Sequence, residues 1–236
     1  MTKSTNTNAP NVVTPLHPDR RLSTKDLLIE TAERLFGQRG FDGVSLREIA
    51  VEAGQSNANV VQYHYGDKAG LISAILENRV ARIETLRTMQ LAMLDKNVPA
   101  SPRQLFKILW LPLMSVTDAS GGHSFCRFMM QYLLHPKLAS HPLALVDKYP
   151  FKVETEEEKL ASGQKAMQKL FTTYSDLPER LVARRISTLA VMFLASVVEH
   201  DNNNTNNTDN NNNATPEPYD IEPIIDMAIA ALSAPR

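Results

Sequence analysis

An all-α fold follows from three features of the 236-residue sequence. Apolar residues recur three and four apart along most of the chain, the period of a helix with one buried face. No stretch of useful length alternates apolar with polar residues as a half-buried strand would. Several apolar stripes open on cap signals: Ser23 with Asp26, Ser45 with Glu48, and Ser101 followed by Pro102.

Residues 1–22 are polar and carry Pro10, Pro15 and Pro18. They read as a flexible arm in which Arg20 and Arg21 either enter a minor groove or belong to a solvated tail. A first helix begins at Ser23. Leu28, Ala32, Leu35 and Phe36 form its stripe, and Gly40 closes it. Phe41 and Val44 are expected under the turn. A second helix starts at Ser45, with Leu46, Ile49, Ala50 and Ala53 on one face. It must stop at Gly54, where only glycine takes up a left-handed backbone without strain. Ser56 or Asn57 would cap a third helix over 57–65, and Asp67 a fourth that keeps its stripe from Leu71 to Met93 and ends near Leu94. At about 1.5 Å per residue that helix spans roughly 40 Å, long enough to link two parts of the molecule.

The remainder is helical too. A segment from Ser101 to Thr117 contains Pro112, which would kink it. A Gly-rich break at 119–123 precedes a strongly apolar run from Phe125 to His135. Pro136, Pro142 and Pro150 make the next stretch irregular. Residues 156–173 are amphipathic, a further helix runs from Pro178 to Glu199, and a last one from Ile221 to Ser233. Residues 201–215 are almost pure Asn with Thr and Asp, a composition that reads as a mobile loop.

The third helix is the informative one. Surface helices usually show Lys, Glu and Arg to water; this one shows Asn57, Asn59, Gln62, Tyr63 and His64, with Val60 and Val61 as anchors. Amides, a phenol and an imidazole both donate and accept, as base edges and phosphates require. The alternative is a solvated polar face on a short structural helix. Bulk charge does not help: the formal net charge is −1, and residues 1–70 hold eight Lys/Arg against eight Asp/Glu. A nucleic-acid surface here needs its cations on one face, doubled by a second subunit.

The motifs as a set resemble the DNA-binding domain of the TetR family of bacterial transcriptional regulators. They are Ala32-Glu33-Arg34-Leu35-Phe36 with Arg39-Gly40-Phe41, Val44-Ser45-Leu46-Arg47-Glu48-Ile49-Ala50, Ala53-Gly54, and Tyr63-His64-Tyr65-Gly66-Asp67-Lys68-Ala69-Gly70-Leu71. The stretch between Gly54 and Tyr63 is one residue longer than the common family pattern, a departure that leaves the fold alone and leaves the base-contact assignment open by one position. The resemblance implies a helix-turn-helix domain over 23–70 and an effector-binding and dimerisation domain over 71–236. It implies a homodimer on a palindromic double-stranded operator, released by a small hydrophobic effector. On that reading Arg47, Asn57, Asn59 and Gln62 meet bases, and Ser45, Tyr63, His64 and Lys68 hold phosphates. The family's dimer packs through its last two helices, here 178–199 and 221–233. Their Leu189, Ala190, Phe193, Leu194 and Val197, with Ile224, Ile225, Ala228, Ile229 and Leu232, give more apolar surface than a peripheral helix needs.

The implied pocket would be walled by Trp110, Met114, Phe125, Phe128, Met129, Tyr132, Met167 and Phe171, which would favour a large hydrophobic ligand with a few polar handles. The same stripe equally suits plain core. Arg127, Gln131 and His135 either orient a polar group or lie exposed. A catalytic reading rests on His123, Ser124 and Cys126, without an orienting third group. His123, His135, His141 and His200 lack metal-ligand spacing. The sequence therefore points to no catalytic residue, metal or cofactor. One cysteine excludes a disulfide framework. No secretory signal or uninterrupted apolar run of about 18 residues is present, so a soluble cytoplasmic protein without a membrane partner is expected. The rival function is a helical module that binds a small molecule or a protein without DNA.

Overall fold

The computed structural model describes residues 22–94, 97–138, 161–210 and 218–234. The expected arm with Arg20 and Arg21, Pro142, Pro150, residues 156–160 and 211–215 lie outside them. Among the described residues all regular structure is helical: α1 Thr24–Arg39, α2 Leu46–Glu52, α3 Val60–Tyr65, α4 Lys68–Ala92, α5 Pro102–Met114, α6 Ser124–Leu134, α7 Ser162–Thr173, α8 Glu179–Asn210 and α9 Glu222–Ser233.

The local start signals act as the sequence suggests. Ser23 Oγ accepts from Asp26 N–H, Ser45 and Glu48 form a complete capping box, and Asp67 accepts from Gly70 N–H. Gly54 turns the chain between α2 and α3 at φ 69°, a left-handed conformation that residues with a side chain rarely adopt even though the space around it is open. At Gly70 the constraint is space: a Cβ would lie 2.0 Å from Tyr65 O. That contact holds the end of α3 against the start of α4.

α1 packs along α6. Gly37 lies in this contact, where a Cβ would meet Phe128 N at 3.0 Å. Beside it Phe36, Phe41, Phe128 and Tyr132 form an aromatic cluster, with Phe41 and Phe128 edge-on at 5.4 Å. The main polar bond between layers is buried. Arg79 Nε on α4 donates to Glu33 Oε2 on α1 at 2.6 Å, with the two side chains 5% and 1% exposed. Ser124 Oγ on α6 donates to the other Glu33 oxygen at 2.5 Å. One carboxylate thus joins three helices.

α5 packs against α7, and Phe106 and Trp110 stack within it at 4.0 Å. Arg103 and Lys107 on α5 pair with Glu222 on α9, and Arg103 also pairs with Asp226. Arg185 on α8 donates to Leu232 O and Ala234 O, satisfying carbonyls at the end of α9.

Four expectations change. α3 starts at Val60, not Asn57, because Asn57 Oδ1 accepts from Asn59 N–H and holds a tight turn before the helix. Met93 is not on the buried stripe; it follows the last turn of α4 and is 86% exposed. The Asn-rich tract is helical as far as Asn210. Extending an anchored helix costs far less than nucleating one, and the anchors are local: Asp201 bonds to His123 and Asn202 accepts from Arg127. Finally, Leu189, Phe193, Leu194, Val197, Ile225, Ala228 and Leu232 are buried in this subunit's own core. They are not surplus surface for a partner. By length and composition residues Glu179–Thr205 of α8 could cross a membrane. Their buried positions Val182, Ile186, Leu189, Phe193 and Val197 instead recur as one stripe against the other helices.

Candidate nucleic-acid interface and helical cavity

α3 is held from beneath by Val61, fully buried, and at its end by Tyr65, whose hydroxyl donates to Lys25 O at 3.0 Å. Burial, and then the charge of Asp26, push the Tyr65 phenol up, so it stays a donor. What remains outward is polar and uncharged. Asn57, Asn59, Gln62 and Tyr63 are exposed, Tyr63 by 83%. Tyr63 packs edge-on against His64 with ring centres 5.0 Å apart. Asn59 sits at the helix start, and its side chain makes no cap bond. Its amide is therefore not committed to the helix end.

The flanking residues are more constrained. Ser45 Oγ accepts from Glu48 N–H, which leaves its own proton to donate outward. Arg47 is exposed, with no ion pair among the described residues. Lys68 Nζ donates to Phe41 O at 2.7 Å, so one of its three protons braces the head and two stay available. Two other cations of the head are taken: Arg34 pairs with Glu52 at 2.8 Å and Arg39 with Glu48 at 2.5 Å. The Arg39 hydrogen bond is the main reason the Glu48 carboxyl lies below its ordinary value. The head thus offers amides and few free charges.

A cavity of about 110 Å³ lies among α4, α5, α6, α7 and α8. Of the residues expected to wall a pocket, Trp110, Phe125, Met129 and Met167 line it. Phe128 and Tyr132 belong to the α1–α6 aromatic cluster instead, and half-buried Met114 and Phe171 face elsewhere. Arg127, Gln131 and His135 are not at its walls. Arg127 bonds to Asn202, and His135 sits edge-on to Phe41. The cavity's polar residues are Glu84, Arg87, Gln164 and Ser187, none of them anticipated. Arg87 Nη1 pairs with Glu84 at 2.8 Å and Nη2 donates to Leu109 O at 2.5 Å. Arg87 Nε is buried without a partner among the described residues, as is Gln90 Oε1, which is not a wall residue. An orphaned buried donor costs about 1–3 kcal/mol. In the sequence Glu84 and Arg87 look like any i,i+3 surface pair; only the helices packed over them reveal the cavity.

The catalytic trio separates. His123 Nδ1 lies 2.8 Å from Asp201 Oδ1 and its backbone N–H donates to Oδ2 at 2.7 Å, so an orienting carboxylate exists. But Ser124 donates to Glu33, and Cys126 is fully buried with its thiol toward Leu113 O. Burial pushes that thiol far up, so no thiolate is available to attack. Among the described residues no three His, Cys, Asp or Glu side chains gather as metal ligands.

Known proteins agree with the head. Residues 28–75 match the family model described as bacterial regulatory proteins, tetR family. A Bacillus subtilis (strain 168) protein named "Probable HTH-type transcriptional regulator YttP" is 31% identical over 90 residues. The match takes in 38% of this chain and 42% of that relative's length. Two solved structures align along most of the chain. One, from Vibrio parahaemolyticus and described as a TetR-family transcriptional regulator, is 16% identical at a TM-score of 0.39, covering 89% of this chain and 98% of that one. The other, described as a transcriptional regulator from Rhodococcus sp. RHA1, is 17% identical at a TM-score of 0.34, covering 90% and 97%. At those scores neither adds to the helical architecture already described. Residues 28–75, the helix-turn-helix unit, are thus the part of the chain that carries the likeness to the tetR family of bacterial regulatory proteins.

Proposed function

We propose that the chain is a cytoplasmic, ligand-responsive transcriptional repressor. Residues 23–70 read DNA and residues 71–236 bind an effector and a second copy of the chain. The observation that carries the reading is the outward face of α3, amide and phenol groups over a single buried valine. Two such helices per homodimer enter successive major grooves of a palindromic operator about one turn apart. Arg47, Asn57, Asn59 and Gln62 meet base edges, while Ser45, Tyr63, His64 and Lys68 hold phosphates and set the register. The dimer forms through apolar side chains that α8 and α9 leave only half-buried or exposed, among them Val191, Met192, Ile224 and Met227.

The effector occupies the helical cavity. α4 contributes Arg87 there and Arg79 to the joint with α1, eight residues apart and so about 12 Å along one helix. A ligand that favours one placement of α4 therefore favours one placement of the reading heads.

A second reading has one observation in its favour. With Arg34 and Arg39 neutralised within the head, the surface is weakly cationic, as in a helical module that binds a small molecule or a protein without DNA. Gel shifts on DNA flanking the coding region separate the two. Lys68 on two heads makes two phosphate-directed cations, so log K should fall against log salt with a slope of about −2. Asn59→Ala should lose sequence preference, and Lys68→Ala should weaken binding to all sequences. No salt-sensitive binding would select the DNA-free module; salt-sensitive binding left unchanged by both variants would discard the residue assignment.

A further inference from the structure

We infer that the cavity is built for a compact, uncharged molecule whose one essential polar feature is an oxygen accepting a hydrogen bond from Arg87 Nε. The consequence for DNA rests on the effector reading above; the binding itself does not.

Size comes first. A dry apolar cavity of about 150 Å³ holds benzene, so the roughly 110 Å³ here suits a molecule of about four to six non-hydrogen atoms. This is smaller than the aromatic and Met content of the sequence suggests, because Phe128 and Tyr132 fill space against α1 instead. The walls come next: Trp110, Phe125 and Met129 present carbon or thioether to the space, which favours a ring or a branched chain.

The polar chemistry decides the class. Arg87 has spent two of its nitrogens, one on Glu84 and one on Leu109 O. Glu84 in turn accepts from Gly163 N–H at 3.1 Å. A Cβ on Gly163 would come within 2.8 Å of both side chains, so the start of α7 closes tightly over the pair. The nitrogen left without a partner among the described residues is Arg87 Nε, and a carbonyl, ether or hydroxyl oxygen satisfies it. A carboxylate would not suit: Glu84 already neutralises the guanidinium, and a second anion would sit beside Glu84 in a poorly hydrated space. A cation would be repelled by Arg87 and find Glu84 occupied.

The test is calorimetric titration of the full-length protein with cyclopentanone, benzene and butyrate. They are near in size and differ as neutral acceptor, apolar molecule without acceptor, and anion. Removing Arg87 alone strands Glu84, so the comparison protein is the double variant Glu84→Gln/Arg87→Met. Cyclopentanone should bind the parent, and bind the double variant about tenfold or more weakly, as loss of a hydrogen bond to a charged donor implies. Benzene should bind both within about twofold, since its contacts are with the apolar walls. Butyrate should bind the parent at least about tenfold less tightly than cyclopentanone. Butyrate binding best, cyclopentanone indifferent to Arg87, or no binding by any of the three would overturn the assignment. Gel shifts with cyclopentanone present keep the two claims apart. Binding as expected with unchanged DNA affinity would sink the effector reading and leave the ligand class standing.

Discussion

At the scale of single residues, two groups that could pass for chemistry serve packing. Cys126 is enclosed and its thiol is held far above the ordinary range by burial. It should resist a thiol reagent such as dithionitrobenzoate in native buffer and react in denaturant; rapid native labelling would show that the helices around it open easily. Asp201 faces opposing effects. Burial raises its pKa, but hydrogen bonds from the His123 ring and backbone, with the charges of His123 and Arg127, outweigh it and leave the carboxyl below its ordinary 3.8. The unfolded chain therefore takes up this proton at a higher pH than the folded one. The stabilisation is complete above about pH 4 and fades as the pH falls through the lower folded value. Asp201→Asn should flatten the loss of stability below about pH 4 in acid titrations followed by urea melts; an unchanged acid slope would refute the pairing. The caps at Ser23, Ser45, Asp67 and Ser101 were legible because a cap depends on residues three apart. The partners of Glu33, 46 and 91 residues away, had no such signal.

At the scale of elements, the contact of α1 with α6 depends on Gly37. Alanine is the better helix former by about 1 kcal/mol, so propensity alone makes Gly37→Ala stabilising. Its Cβ, however, would lie 3.0 Å from the Phe128 backbone, and overpacking of this kind costs about 1–3 kcal/mol. We expect a net loss in urea denaturation; a gain would mean that the helices can separate slightly at no cost. Sequence reading located nearly every helix, since their apolar stripes are long and periodic. It failed where neighbours decide. The turn held by Asn57 delays α3, and Asp201 and Asn202 are tied to α6, so the tract that reads as loop by composition continues α8. For the cavity, Trp110, Phe125, Met129 and Met167 line it and the other four named residues do not, because aromatic content marks the interior without telling which helix each ring faces.

At the scale of the whole molecule, the Glu33–Arg79 pair joins the reading head to the helices behind it. Arg79→Met would leave a buried carboxylate supported by Ser124 alone and should cost roughly 3–5 kcal/mol, read as a lower urea midpoint for the entire transition. The double variant Glu33→Gln/Arg79→Met should recover most of that loss. A single variant as stable as the parent would mean that water reaches the pair. One further result comes from the tight joint at Gly70, where α3 has no slack against α4. The 25 residues of α4 make a rod of about 38 Å, and swinging it by roughly 5° would sweep its tip through an arc of about 3 Å. That is close to the 3.4 Å step between stacked bases. On the proposed function, a nudge too slight to alter the interior would therefore put each fingertip out of phase with the ladder it is proposed to grip.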